Sequence, residues 1–310
     1  MAGIGARADR AAGVKISVHT RAILEAFLVT FLWSTSWVLI KIGLTDLPAL
    51  TFAGLRYATA FLCLLPWVLR PSYAAQCRRL TRGDWLGLLA LGVLMYAVTQ
   101  GAQFIGLAYL PAVTVSLLLT LTVFVVPLFG IGLLAEYPTA AQWGGVALFL
   151  VGAAVYFYPA VLPAGELTGI IVVLIGVLAN ALSAILGRRI NRAGRIAPLI
   201  VTAASMGIGA AVLLGGGAFV QGLPHLTGTH WAIIIWLAVV NTAFAFTLWN
   251  RTLQILSALE SSLINNTMLI QIAILAWVFL GETLAAPKIL GLALASTGVW
   301  LAQRWRAPIA

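Results

Sequence analysis

The chain has 310 residues, of which 62% are hydrophobic and 8% charged, with a formal net charge of +10 at pH 7. A water-soluble domain is about one quarter charged, so these residues cannot build a water-facing surface, and the apolar excess belongs against lipid. The positive balance does not point to nucleic acid as a partner, because the basic residues stand at the ends of apolar runs rather than on a polar face.

Residues 1–21 form a polar, basic stretch with Arg7, Arg10, Lys15 and Arg21, read as a cytoplasmic N-terminal tail. The apolar run that follows is too long for a signal-peptide core, and no A-x-A cleavage site succeeds it, so it is read as an uncleaved first span. Runs of similar length recur, each long enough to cross a hydrocarbon core of about 30 Å at about 1.5 Å per residue. The predicted spans are 22–43, 49–69, 85–107, 111–131, 139–158, 168–187, 196–220, 230–250, 257–280 and 288–306. They must be helices, because lipid offers no partner to the backbone of an open strand. Pro48, Pro111, Pro138, Pro159, Pro163, Pro198, Pro224 and Pro287 mark the joints.

Ten crossings place both ends of the chain on one side. Of the 18 Lys and Arg residues, 15 then fall on that side, in clusters such as Arg70, Arg78, Arg79 and Arg82, and Arg188, Arg189, Arg192 and Arg195. The excess marks that side as cytoplasmic. Lys41, Arg56 and Lys288 are the three exceptions. An internal repeat agrees with the count. Glu136, Gly145 and Gly152 recur as Glu282, Gly291 and Gly298 at a constant offset of 146, and Ser116 and Leu117 recur as Ser262 and Leu263. Five spans per half is an odd number, so the second half enters the membrane from the opposite side. The predicted architecture is an all-α integral membrane protein with ten transmembrane helices arranged as two inverted five-helix repeats, residues 22–158 and 168–306.

In the first span, Trp33 and Trp37 stand one helical turn apart and share a face. Lys41, near the outer end of that span, reads as a snorkelling side chain. Arg56 lies seven residues into the second span, about 10 Å below its outer end. Hydrocarbon penalises such a charge by about 2.5–3.5 kcal/mol. It either faces a cavity and attracts a carboxylate or phosphate, or serves structurally by snorkelling or capping helix carbonyls. Tyr96, Gln100 and Gln103 follow in the third span, and Thr120 in the fourth. Glu136 closes the fourth span and Glu282 the ninth, where a repeat-related brace competes with a role in transport. Asn180 and Ser183 lie in the sixth span, Asn241 and Trp249 in the eighth, and Asn265, Asn266 and Gln271 in the ninth. Amides in hydrocarbon need partners; they either bond between helices or line a cavity that binds a polar substrate. Thr120 aligns with Asn266 under the repeat, which would bring both halves to one central site. The aromatic residues either stack on an apolar part of a substrate or pack ordinarily.

The sequence resembles the drug/metabolite transporter superfamily, specifically its EamA type, over about residues 22–306. The resemblance rests on Trp33-Ser34-Thr35-Ser36 with Lys41, on Leu55-Arg56-Tyr57, on Pro127 followed by Glu136, and on Gly281-Glu282. Ser34 stands where that family usually has glycine, and Ala135 stands where the second repeat has Gly281. The resemblance implies a transporter of amino acids or other small metabolites.

Other chemistry finds little support. Cys63 lies in an apolar run and Cys77 in a basic loop, so they are not expected to pair. No Cys/His cluster suggests a metal, and no phosphate-binding loop, H-E-x-x-H or nucleophile elbow occurs. The expected function is secondary transport, in the outward direction, of an amino acid or similar small metabolite, without cofactor or nucleic acid and as a monomer among membrane lipids. A multidrug or cationic-compound exporter is the alternative, although no carboxylate stands at mid-membrane to bind a cation. An intramembrane enzyme is the more distant one.

Overall fold

The computed structural model describes residues 17–134, 139–158, 164–252, 255–256 and 264–304. Among them there is no strand. The chain runs through α1 (Val18–Gly43), α2 (Ala49–Val68), α3 (Pro71–Arg78) and α4 (Arg82–Leu91) into a π-helical segment (Gly92–Gln100) and α5 (Gly101–Tyr109). Then come α6 (Ala112–Thr120), α7 (Thr122–Leu134), α8 (Ala140–Tyr156), α9 (Ala164–Arg192) and α10 (Pro198–Gln221). Next is α11 (Gly228–Ala238), which continues through a second π segment (Val239–Phe244) into α12 (Ala245–Thr252). The described chain closes with α13 (Met268–Leu280) and α14 (Ala286–Arg304).

Five helices are long and apolar enough to cross a membrane: Val18–Gly43, Ala49–Val68, Arg82–Tyr109, Gly165–Asn191 and Pro198–Gln221. Five shorter apolar helices accompany them: Ala112–Val126, Trp143–Tyr156, Gly228–Phe244, Ile264–Leu280 and Ala286–Ala302. The chain is therefore a multi-pass membrane protein. Capping chemistry sets several boundaries. Thr81 and Asp84 form a reciprocal box at the start of α4, and Pro71 and Pro198 open α3 and α10, where a missing N–H costs nothing.

Two helix pairs pack most extensively, α8 with α14 and α2 with α10. Along the first pair, Gly145 faces Gly298, and Gly152 faces Gly291. The numbers rise on one helix as they fall on the other, so the helices are antiparallel. A Cβ on Gly298 would meet the Phe149 backbone nitrogen at 2.5 Å, and one on Gly152 would meet the Ala295 nitrogen at 2.5 Å. Only hydrogen fits there. In the second pair, Gly54 meets Leu214 and Gly217 meets Thr51, again antiparallel. Gly207, further along α10, lies against the Phe61 ring.

Three features depart from the sequence expectation. The basic stretch after the second span contains α3, an eight-residue helix. The fourth apolar run breaks at Leu121 between α6 and α7. The third and eighth runs carry π turns, which widen the helix.

Candidate functional site

Arg56 is 4% exposed. Its Nε donates to Thr242 Oγ1 at 3.2 Å, and that hydroxyl donates onward to the Leu237 carbonyl at 2.8 Å. Thr242 sits in the second π segment, and its bond reaches five residues back along the chain, as Thr99 reaches the Leu94 carbonyl in the first. The Arg56 guanidinium also lies 5.2 Å from the Tyr57 ring centroid, and Tyr57 meets Tyr96 edge-on at 5.4 Å. Among the described residues no carboxylate pairs with Arg56. Glu25 serves Arg21 at 2.8 Å and Arg251 at 4.0 Å, Asp84 serves Arg195 at 2.6 Å, and Asp46 faces His230 at 3.4 Å.

Beside this arginine, the second π segment meets α1. The Trp33 indole donates to the Asn241 carbonyl at 3.1 Å. The Asn241 amide donates to the Leu32 carbonyl and, at 3.3 Å, to Thr35 Oγ1. The Trp33 ring lies 5.1 Å from Phe246 and 5.3 Å from Trp249. Asn241 is fully buried, yet its Oδ1 has no hydrogen-bond partner among the described residues. Leaving such an acceptor unpaired costs about 1–3 kcal/mol. On α13, Gln271 takes the Ser34 hydroxyl at 2.9 Å and gives its amide to Thr267 at 3.0 Å and Thr30 at 3.3 Å.

The structure therefore gathers Trp33, Arg56, Tyr96, Asn241 and Trp249 through α1, α2, the two π segments and α12, with Gln271 attached through Ser34. Other predicted residues have their own surroundings. Thr120 donates to the Ser116 carbonyl of its own helix at 2.8 Å. Asn180 reaches Thr122 at 3.5 Å, and Ser183 bonds the Asn180 carbonyl at 2.8 Å. Trp37 is buried in the main core and Gln103 is buried in α5, while Gln100 and Asn266 are half-buried and Asn265 is exposed. Thr242, Thr35 and Ser34 are not among the expected site residues. Their hydroxyls join the network through tertiary contacts that spacing does not reveal.

Lys41 differs from expectation, and Glu282 takes the part of a brace. Lys41 does not snorkel. Its Nζ donates to the carbonyls of Leu107 at 2.5 Å and Leu110 at 2.8 Å, at the C-terminal end of α5. Gly281, in the left-handed conformation at φ 66°, ends α13 and turns Glu282 toward α6. There Glu282 accepts from the Ala112 N–H at 2.6 Å and the Val113 N–H at 3.4 Å. A cation thus caps a helix C-terminus and an anion the following N-terminus, as the helix dipoles favour. Glu136 and residues 1–16 of the tail lie outside the described residues.

A model of the EamA-like transporter family matches residues 20–158 and again residues 167–303. An uncharacterized transporter, YoaV, of Bacillus subtilis (strain 168) is 24% identical over 290 residues, covering 91% of this chain and 96% of the relative. A probable amino-acid metabolite efflux pump of Escherichia coli (strain K12) is 24% identical over 302 residues, covering 92% and 96%. The uncharacterized inner membrane transporter YedA of the same strain is 28% identical over 204 residues, or 65% of each chain. A protein crystal structure shares the fold with a TM-score of 0.66 at 18% identity, covering 91% of this chain and 97% of that one.

Proposed function

Because the chain belongs to the EamA-like transporter family, we propose that it exports small zwitterionic metabolites of the amino-acid kind by alternating access of two inverted halves. The observation that carries this reading is the buried guanidinium of Arg56, which has no carboxylate beside it among the described residues. A charge is held at that depth when something repays its desolvation. A cargo carboxylate would do so through the free arms of the guanidinium fork. The unpaired Oδ1 of Asn241 suits a cargo ammonium, and Trp33, Trp249 and Tyr96 suit its apolar part. The likeness to a probable amino-acid metabolite efflux pump supports the same cargo class and direction.

Several features support ten spans in two inverted halves. The family model matches twice. Five long and five shorter apolar helices alternate with short connections. The Gly145–Gly298 contact becomes the Gly152–Gly291 contact when each residue is exchanged for its mate 146 positions away, as a two-fold relation between antiparallel halves requires. The π segments also fall at corresponding places, the third apolar run of each half. The arginine-rich side is the cytoplasmic one, with both termini on it.

The membrane location is the cytoplasmic membrane, the chain works as a monomer, and neither cofactor nor nucleic acid takes part. A cationic-drug exporter is disfavoured by the positive charge of Arg56 at the site, and no constellation of reactive groups among the described residues supports an intramembrane enzyme. Counterflow of candidate amino acids in liposomes, with and without a proton gradient, tests the proposal. Accumulation of amino acids supports it; turnover of a lipid without transport, or transport of organic cations alone, overturns it.

A further inference from the structure

The arginine-rich side of the molecule holds a second polar feature, remote from Arg56. Between α3, the start of α4 and the connection leading into α10 lies a cavity of about 510 Å³ whose wall includes Ser72, Gln76, Arg79, Thr81, Asp84 and Arg195. Gln76 fixes its shape. Its amide donates to the Arg195 carbonyl at 3.3 Å and accepts from the Ala197 N–H at 3.1 Å, tying α3 to the α9–α10 connection. The charges in the wall do not cancel. Asp84 gives one carboxylate oxygen to Arg195 at 2.6 Å and the other to Thr81, at 2.9 Å from its N–H and 2.7 Å from its hydroxyl. Both oxygens are engaged, and Arg79 makes no ion pair among the described residues. The cavity therefore carries one uncompensated guanidinium, with Arg70, Arg78 and Arg82 close by in sequence.

The depth of the cavity identifies what meets it. Trp67 and Leu69, where α2 ends, and Trp85 and Leu86, where α4 begins, are all exposed. Exposed tryptophans flanking a basic segment mark the level of the lipid headgroups. At that level the anions at hand are phosphodiesters on lipid, and basic pockets between helices are suited to hold them. The volume argues in the same direction, because about 300–1,000 Å³ is the range of cavities that hold small organic ligands, and a bare phosphate ion would leave most of this one empty.

We infer that this cavity is a binding site for the phosphodiester headgroup of an anionic lipid, with the Arg79 guanidinium on the phosphate and Ser72 at the rim toward the rest of the headgroup. Such a lipid would bridge the two halves, since α3 and α4 belong to the first and the α9–α10 connection belongs to the second.

Native mass spectrometry of the full-length protein, from micelles holding equal amounts of phosphatidylglycerol and phosphatidylcholine, tests the site. The wild type is expected to retain phosphatidylglycerol. Arg79→Gln should lower that retention about tenfold, the worth of one charge-assisted bond. Arg78→Gln, one residue away and outside the cavity wall, should leave it within about twofold. Ser72→Trp, which fills the cavity without changing charge, should act like Arg79→Gln and stands in for it if that variant does not fold. Equal losses from Arg78→Gln and Arg79→Gln would overturn the proposal in favour of diffuse attraction. Displacement of the lipid by millimolar inorganic phosphate would overturn it in favour of a small-anion site.

Discussion

Lys41 and Glu282 hold the two sides of a single helix joint. Lys41 reaches from α1 to the last carbonyls of α5, and Glu282 reaches from the α13–α14 connection to the first N–H groups of α6. The break between these helices is short, with Leu110 and Pro111 in extended conformation. It leaves polar backbone groups that neighbouring water would otherwise have to satisfy. One residue of each half supplies what the joint lacks.

Replacing Glu282 by Ala should therefore destabilise the protein by about 1–2 kcal/mol, the worth of a charged helix cap. Lys41→Met should cost about as much. The double variant should lose less than the sum of the two, because the groups serve one joint. Thermal denaturation in detergent reads all three, and strict additivity would show that the two caps act independently.

Arg56→Gln should reduce transport of zwitterionic or anionic cargo by more than tenfold, on the order of a charge-assisted hydrogen bond, and spare neutral analogues. Arg56→Lys keeps the charge but not the planar fork, and should fall between the two. Initial rates in liposomes separate the outcomes. Equal loss for charged and neutral cargo would assign Arg56 to structure alone.

Trp33→Phe keeps an aromatic ring near Phe246 and Trp249 but removes the donor to the Asn241 carbonyl. The expected cost is about 1–3 kcal/mol, since a buried acceptor loses its partner. A Trp33→Phe melting temperature equal to that of the wild type would show that another donor or water takes the place of the indole.

Cys77 sits in α3, outside the membrane-crossing helices, and burial pushes its thiol pKa up. Less thiolate is present near neutral pH than for an ordinary cysteine, and the thiolate is the reacting form. In a Cys63→Ser background, maleimide labelling of Cys77 should be slower at pH 7 than that of a cysteine introduced at Ser72, and should gain speed as the pH rises. Identical rates at both positions across this range would contradict the shift.

Much of the fold was legible because lipid leaves few choices: long apolar runs become helices, and Pro111 and Pro198 stand where helices begin. The glycines at 145, 152, 291 and 298 were legible as a repeat, and they meet as one seam. The π segments were not. The run GVLMYAVTQ has the same apolar character as its neighbours, and nothing in its composition distinguishes a wide turn from a regular one. Arg56 stood out because charge in hydrocarbon is expensive. Thr242 did not, since a threonine in a span is cheap until a partner 186 residues away claims its hydroxyl. Lys41 was misread for a related reason: its carbonyl partners belong to another helix, and sequence position gives only its depth. Asn180 and Asn265 were grouped with the site by polarity, and Thr120 by its alignment with Asn266 under the repeat, but a polar group is also satisfied locally, as Thr120 shows with Ser116.

The glycine seam between α8 and α14 constrains how the molecule can move. Backbone lies against backbone there, so displacing one helix lengthwise past the other would drive a side chain such as Phe149 or Tyr156 into space that only hydrogen can occupy. Sliding is blocked, while a small change of angle about the tightest point is not. The seam is thus the natural fulcrum of the structure, and larger displacements belong at the ends of the lever, away from it.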